Sequence, residues 1–281
     1  MDLKIHHETI YQFDDEVFFE PHTLRFKPST DHYLTVEKFH LKVSPDPVGF
    51  SEQMDIENNM VLFCWFEGLH KELKITLDCT VTIQEFNPFN YLIYPGSFLT
   101  VPFEYPNQLK HLLTASLNHT ELSNEIVSYL NAILKSAKND TASFILALTQ
   151  QIHSDFKVEI REEGVPMSPN DTFRLRRGSC RDLAWLQIQC LRHLGVASRF
   201  VSGYYYLDVE EPVFELHAWV IAYIPGAGWL GFDPTHGIAA GHTHIPIAKS
   251  AHYENTMPVS GTIRGGAKSK MQFNLDMELK A

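Results

Sequence analysis

Three residues in this sequence have types and settings suited to thiol chemistry. A catalytic thiol needs a thiolate, a base to generate it and a group to orient that base. Cys180 lies in Arg177-Gly178-Ser179-Cys180-Arg181-Asp182. Gly178 permits a tight turn, and an apolar helical pattern starts directly after it. A cysteine at a helix N-terminus faces unpaired N–H groups and the positive end of the helix dipole, which favours the thiolate. The same N–H groups are candidate oxyanion donors, with the Cys180 backbone the first choice. Arg176, Arg177 and Arg181 add positive charge nearby.

The candidate base is His217, inside the apolar run Phe214-Glu215-Leu216-His217-Ala218-Trp219-Val220-Ile221. A strand there would fix an imidazole and shield it from water. Asp233 ends the next apolar run, Gly228-Trp229-Leu230-Gly231-Phe232-Asp233-Pro234-Thr235. A tight turn at Pro225-Gly226 makes the two runs adjacent antiparallel strands. That predicts residues 217 and 233 side by side, with His217 offering one ring nitrogen to Cys180 and the other to Asp233. Each residue alone has an ordinary structural explanation: a buried Cys as a small hydrophobe, a His satisfied in a core, an Asp before Pro as a turn former. Together, in contexts that fit their roles, they point to catalysis.

The elements that must position these residues follow from the pattern of the chain. Ile5–Phe13, Leu34–Val43, Val61–Phe66 and Leu73–Ile83 carry alternating or β-branched apolar residues, punctuated by Pro and Asn/Asp clusters. A β-rich, sandwich-like N-terminal half is predicted. Pro95-Gly96, Pro102 and Pro106 mark a change of character. Helical periodicity then places Leu122, Ile126, Leu130, Ile133 and Leu134 on one face, and a second stripe runs through Thr141–His153. A loop with Gly164, Pro166 and Pro169 leads to a third helix near Ser179, ending at Gly195. Strands follow over Ala197–Leu207, Phe214–Ile224 and Trp229–Asp233. The tail from Ile238 is less regular, and Met271–Leu279 alternates as a closing strand. The order is strands, helices, strands: an α+β fold.

Composition bounds the function. The chain has 281 residues, 44% hydrophobic and 20% charged, enough for one large domain or two ordinary ones. Its net charge is -11, without a basic stripe, which argues against nucleic-acid or anionic-membrane partners. Cys64, Cys79, Cys180 and Cys190 match neither a disulfide framework nor a zinc motif. The N-terminus carries no apolar signal segment and no apolar run reaches the roughly 18 residues of a membrane span, so a cytoplasmic protein is expected. His236, His242, His244 and His252 cluster late but lack a zinc-binding motif, and are expected in solvent-facing loops. Asp182 is expected as a first-turn helix acid. Trp219 and Trp229 flank the predicted base and acid, and Tyr204-Tyr205-Tyr206 suits either a substrate wall or strand packing. No acidic cage for calcium is visible, and the glycines form no phosphate loop.

The stretches Gly178-Ser179-Cys180-Arg181-Asp182-Leu183-Ala184 and Leu191-Arg192-His193-Leu194-Gly195-Val196-Ala197-Ser198-Arg199-Phe200-Val201-Ser202-Gly203-Tyr204 resemble the nucleophile helix and following strand of bacterial transglutaminase-like proteins. His217-Ala218-Trp219-Val220 and Gly228-Trp229-Leu230-Gly231-Phe232-Asp233-Pro234-Thr235 resemble that family's His and Asp blocks. Tyr11-Gln12-Phe13 through Leu24-Arg25-Phe26-Lys27-Pro28 is similar to the β-rich region preceding this core. Two places depart from the pattern: Trp185 stands where His is common, and the tail from Gly241 through Tyr253 lacks a Gly-Arg-Asp-Tyr stretch.

The resemblance implies a papain-like core over 106–281 behind a β-rich N-terminal domain over 1–105. It also implies a Cys180, His217 and Asp233 triad without cofactor or metal, and places His244 along the cleft. The activity so implied is cleavage of a peptide or protein amide, or isopeptide, bond through a thioacyl-enzyme. The alternatives are glutamine transamidation to an amine acceptor and a non-catalytic binding module on the same fold.

Overall fold

The structure, a computed structural model, describes residues 1–161 and 164–280. The first six strands are β1 (Asp2–Phe19), β2 (His22–Leu24), β3 (Leu34–Ser44), β4 (Gly49–Met54), β5 (Met60–Trp65) and β6 (His70–Ile83). β1 alternates buried Leu3, Ile5, His7 and Thr9 with partly or fully exposed residues, the period of a strand with one face on a core. The helical segment holds α1 (Asn107–Leu112), α2 (Thr114–Leu117), α3 (Asn124–Ser136), α4 (Thr141–Asp155), β7 (Lys157–Val158), α5 (Pro169–Leu175), β8 (Arg177–Gly178) and α6 (Cys180–His193). Strands β9 (Ser198–Leu207), β10 (Val213–Ile224), β11 (Gly228–Asp233), β12 (Ile238–Ala239) and β13 (His244–Ser250) follow. The chain closes with β14 (Val259–Ser260), β15 (Ile263–Arg264) and β16 (Ser269–Leu279). The fold is α+β, with a β-rich N-terminal region before a core of helices and one sheet. No helix among the described residues is long and apolar enough to cross a membrane.

The tail crosses the division expected at 105/106. β16 pairs antiparallel with β1 from Leu3↔Leu279 to Phe13↔Ser269, β15 pairs with the end of β1, and β14 pairs with β2. Two antiparallel sheets result, one built on β1, β6 and β3 and one of order β14-β2-β5-β4. From the other side, Ile93, Phe98, Val101 and Tyr105 already belong to the helical core. The sheet of the second half has order β12-β11-β10-β9-β13 and is wholly antiparallel.

That sheet serves two cores. Phe200, Val220, Ala222 and Phe232 pack with α3, α4 and α6, whereas Tyr204, Tyr206, Ile245 and Ile247 pack with Leu3, Ile5, Phe26 and Ile75 of the N-terminal strands. Helix α6 lies between layers, and ten of its residues are buried. Most of its buried polar groups are paired, while Gln187 Oε1 is buried without a partner. Gln187 Nε2 donates to Thr149 Oγ1 at 2.8 Å, and Gln189 Oε1 accepts the Thr120 N–H at 2.7 Å. The Arg192 guanidinium, 3% exposed, donates to the Ser198, Asn118 and Ala251 carbonyls. Burial, with the neighbouring Arg199 adding to it and Glu57 opposing it, brings its pKa down to about 10. These bonds pin the helix at its C-terminal end, so its N-terminal cysteine is held from behind.

The N-terminal sheets brace the core sheet through polar contacts as well. The Tyr33 hydroxyl donates to the His244 carbonyl at 3.1 Å. The Asn59 side chain imitates a strand edge, donating to Lys249 O and accepting from Lys249 N–H, both at 2.9 Å. His7, 1% exposed, bridges the halves, with Nδ1 3.0 Å from the Tyr204 hydroxyl and Nε2 3.1 Å from Thr9 Oγ1.

Burial, helped by the neighbouring His6, pushes the His7 pKa down to about 4 from 6.5. Below about pH 6.5 the unfolded chain takes up a proton that folded His7 refuses until about pH 4, so stability is lost as pH falls through that window. The loss from this one group amounts to roughly 3 kcal/mol. Urea denaturation of the wild type and of His7→Gln should therefore converge by about that amount between those two pH values.

Candidate active site

Cys180 is the first residue of α6, and Ser179 before it has the extended backbone of an N-cap. The carboxylate of Asp182 fixes this turn. Its Oδ2 accepts the Ser179 backbone N–H and the Ser179 hydroxyl, both at 2.7 Å. Its Oδ1 accepts the Met167 N–H at 2.7 Å and Arg161 Nη2 at 3.1 Å. Asp182 is fully buried, so these four bonds replace the water it lost. Gly178 allows the packing: a Cβ there would sit 2.7 Å from Asp182 Cβ. The loop that was expected to lead into this helix also contains α5, which ends at Arg176 in left-handed conformation.

His217 stands on β10 opposite Gly203 of β9. The β10–β11 ladder pairs Val220 with Phe232, so Asp233 is level with Trp219 and diagonal to His217 rather than directly across from it. The diagonal is within side-chain reach. His217 Nε2 lies 2.8 Å from Asp233 Oδ2, and both side chains are wholly buried. The other ring nitrogen, Nδ1, is buried without a well-formed hydrogen bond. Glu215 Oε1 is 3.1 Å from it, and Cys180 is near enough to favour the charged ring. With Nε2 committed to Asp233, the thiol meets the ring on the Nδ1 side. Trp219 lies near-parallel to His217 with ring centroids 6.2 Å apart and shields it. Trp229 does not flank the pair: it packs on Tyr223 and under the Arg199 guanidinium.

Asp233 collects more than one histidine. His236 Nδ1 is 2.7 Å and His244 Nε2 3.1 Å from the same Oδ2. Oδ1 accepts the backbone N–H groups of Thr235 (2.8 Å) and His236 (3.3 Å). His244, 1% exposed, and His236, half-buried against the stacked ring of Tyr205, therefore face inward, contrary to the expectation of solvent-facing loops. His252 is exposed and His242 half-buried. Gly241 N–H and the Thr243 hydroxyl both approach His244 Nδ1, at 3.4 and 2.9 Å. That leaves Nε2 as the protonated nitrogen, donating to Asp233.

Two opposed effects set the charges. Burial disfavours charge on both His217 and Asp233. For His217 the Asp233 carboxylate and its hydrogen bond, then Cys180 and Glu215, overcome burial and raise the pKa well above 6.5. For Asp233 the His217 charge and the bonds from His217, His236 and His244 overcome burial and hold the acid well below 3.8. Burial lowers the pKa of His244, so it serves as a neutral donor. Of the three arginines expected to supply positive charge, Arg181 is coupled to Cys180. Arg177 bonds Glu159, and Arg176 lies 3.9 Å over the Phe173 ring.

Comparison with known proteins places this arrangement. Residues 3–82 match the Bacterial transglutaminase-like N-terminal region, and residues 127–234 match the Transglutaminase-like superfamily model. The chain carries a transglutaminase-like domain behind a bacterial transglutaminase-like N-terminal region. The "Uncharacterized protein Rv2569c" of Mycobacterium tuberculosis is 26% identical over 282 residues, covering 92% of this chain and 87% of that one. The "Protein-glutamine gamma-glutamyltransferase" of Pseudomonas aeruginosa is 30% identical over 118 residues, 38% of this chain and 17% of its own length. The crystal structure of a "Putative Cysteine Protease" from Cytophaga hutchinsonii superposes with a TM-score of 0.71 at 21% identity, over 100% of this chain and 92% of that one. That likeness is one of fold.

Cys180, His217 and Asp233 all fall inside the superfamily match, whereas His236 and His244 lie beyond its end. The departures from the family pattern are accommodated locally. Trp185 packs edge-on to Tyr253 at 5.0 Å, beside Arg192, so the two departing regions meet each other. β13, which brings in His244, escaped sequence reading because Pro246 interrupts it. The strand is an edge strand with a register shift between Pro246 and Ala248, where a proline is tolerated.

Removing Asp182 strands buried donors at the first turn of α6. Asp182→Ala should cost about 3 kcal/mol in chemical denaturation. Asp182→Asn, which retains an acceptor oxygen, should cost less.

Proposed function

We propose that this protein is a cysteine-nucleophile hydrolase acting on a peptide or protein amide, or isopeptide, bond, with Cys180 as nucleophile, His217 as base and then acid, and Asp233 as the group that orients the base. The observation that carries this reading is the division of labour on the His217 ring. Nε2 is bonded to a buried carboxylate at 2.8 Å, and Nδ1 is left without a well-formed bond on the side of a helix N-terminal thiol.

The chemistry follows from those positions. His217 Nδ1 takes the thiol proton, and Asp233 stabilises the imidazolium that forms. Sγ adds to the substrate carbonyl carbon, and the oxyanion develops beside the first-turn N–H groups of α6, the Cys180 N–H first. The C–N bond breaks as His217 returns the proton to the departing amine or ammonia. Water, deprotonated by the same ring, then attacks the thioester, and the acid leaves as Sγ recovers its proton. His236 and His244 support the reading as further donors that keep Asp233 ionised and in place.

Alkylation by iodoacetamide at neutral pH tests the site before any substrate is known. Cys180 should react well ahead of the buried Cys64, Cys79 and Cys190, and His217→Ala should slow it by at least about tenfold, the lower end of what a positioned base contributes being larger still. Against a library of peptide amides, Cys180→Ala should lose activity by roughly a thousandfold or more while keeping its circular dichroism spectrum. Alkylation of Cys180 at the rate of an ordinary thiol in both proteins, or undiminished turnover in Cys180→Ala, contradicts the assignment.

A further inference from the structure

We propose that the mouth of this site is also a zinc site, formed by Glu215 Oε1, His217 Nδ1 and His236 Nε2 with solvent as fourth ligand, and that zinc bound there silences the thiol by occupying the ring nitrogen that would serve it. The first three atoms lie within 4.8 Å of one another. Glu215 Oε1 is 3.1 Å from His217 Nδ1 and 3.7 Å from His236 Nε2. Ligands about 2.0–2.1 Å from a tetrahedral zinc stand about 3.4 Å apart, so both separations are near the edge of such a tetrahedron.

The outer partners point the same way. A histidine that ligates zinc characteristically donates its other ring N–H to a carboxylate, which fixes the tautomer and aims the ligating lone pair. Here one carboxylate does this for both rings: Asp233 Oδ2 is 2.8 Å from His217 Nε2 and 2.7 Å from His236 Nδ1. That leaves His217 Nδ1, on a wholly buried side chain, aimed at Glu215 without a well-formed hydrogen bond. The Glu215 side chain is 45% exposed and that of His236 29%, so an ion can reach the site from solvent. Two imidazoles and one carboxylate suit zinc rather than calcium or magnesium, which take oxygen ligands. On binding, the His217 ring gives up its Nδ1 proton to solvent, since a ligating imidazole is neutral, and the Glu215 carboxylate offsets part of the ion's charge. A second group of potential ligands, His217, Asp233 and His244, is buried throughout, and its ring nitrogens already donate to the carboxylate. It is the support of the site rather than a metal cage.

Only the inhibition rests on the thiol reading of the preceding section. The test begins with protein stripped by a chelator and dialysed free of it. Zinc chloride, titrated against a chromophoric zinc indicator, should bind at one equivalent in the micromolar range or tighter. Glu215→Gln and His236→Gln should each weaken it by at least the roughly tenfold that losing an outer-shell partner costs. Cobalt chloride in place of zinc should give visible d–d bands that Glu215→Gln and His236→Gln weaken and Cys180→Ser leaves in place. Zinc should block iodoacetamide at Cys180 over the same concentration range, and a chelator should restore the reaction. Absence of stoichiometric binding, or binding unchanged in both Glu215→Gln and His236→Gln, overturns the proposal. If stripped Cys180 shows ordinary reactivity and zinc still binds in a Glu215- and His236-dependent way, the metal site stands and the thiol mechanism falls. If Cys180 is reactive and bound zinc leaves it so, the silencing is overturned and the thiol mechanism stands.

Discussion

The second half of this protein is organised around the burial of one carboxylate. Asp233 is fully removed from solvent at the end of a strand, where an ionised acid is costly unless every lone pair finds a donor. It finds five: Nε2 of His217, Nδ1 of His236, Nε2 of His244 and the backbone N–H groups of Thr235 and His236. Each donor is thereby fixed. His217 has one nitrogen oriented and the other left over, His236 is stacked flat on Tyr205, and His244 is locked as a neutral donor by Gly241 and Thr243. The polarity that makes the site chemically useful is therefore the same polarity that makes it foldable.

A second buried carboxylate solves the corresponding problem beside Cys180. Asp182 binds the N-cap residue, the Met167 backbone and Arg161, so the loop before α5 and the first turn of α6 move as one piece. Arg192 anchors the other end of that helix through three carbonyls. The thiol and the base are thus mounted on separate elements, a helix clamped at both ends and a strand inside a sheet. This satisfies the requirement that reacting groups be held by rigid supports rather than by each other.

How much of this was legible in the sequence depends on the range of the interaction. The strands of the N-terminal half, helices α3, α4 and α6, and the hairpin of β10 and β11 have local signatures: alternation, apolar stripes, a Gly before a Ser-x-x-Asp turn, a Pro-Gly bend. Cys180, His217 and Asp233 lie on those elements and could be named from their contexts. β2 has only three residues, β4 is mostly exposed and so carries no apolar stripe, and Pro246 concealed β13. His236 and His244 read as loop histidines because nothing local distinguishes them; their partner is Asp233, brought in by sheet register. The expected side-by-side placement of residues 217 and 233 was off by one diagonal step, since a hairpin turn alone does not fix register. Pairing of β16 with β1, across the full length of the chain, has no local signal at all.

That long-range closure gives the N-terminal sheets a mechanical part in the site. β13 is an edge strand, and its outer side is supported by Asn59 on Lys249, by Tyr33 on the His244 carbonyl and by Ser29 on the Pro246 carbonyl. These are groups from the first half of the chain gripping the strand that delivers His244 to Asp233. Gly203, between β10 and β13, lets them approach: a Cβ there would collide with the Ile245 carbonyl and the Trp219 ring. The path from the N-terminal sheets through β13 to His244, and from His244 to Asp233 and His217, is continuous in hydrogen bonds. Weakening it at Asn59 or Tyr33 releases no substrate contact and touches no reacting atom. It loosens the carboxylate that decides which nitrogen of His217 is free, and that nitrogen is the one on which the proposed thiol chemistry and the proposed zinc site would both draw.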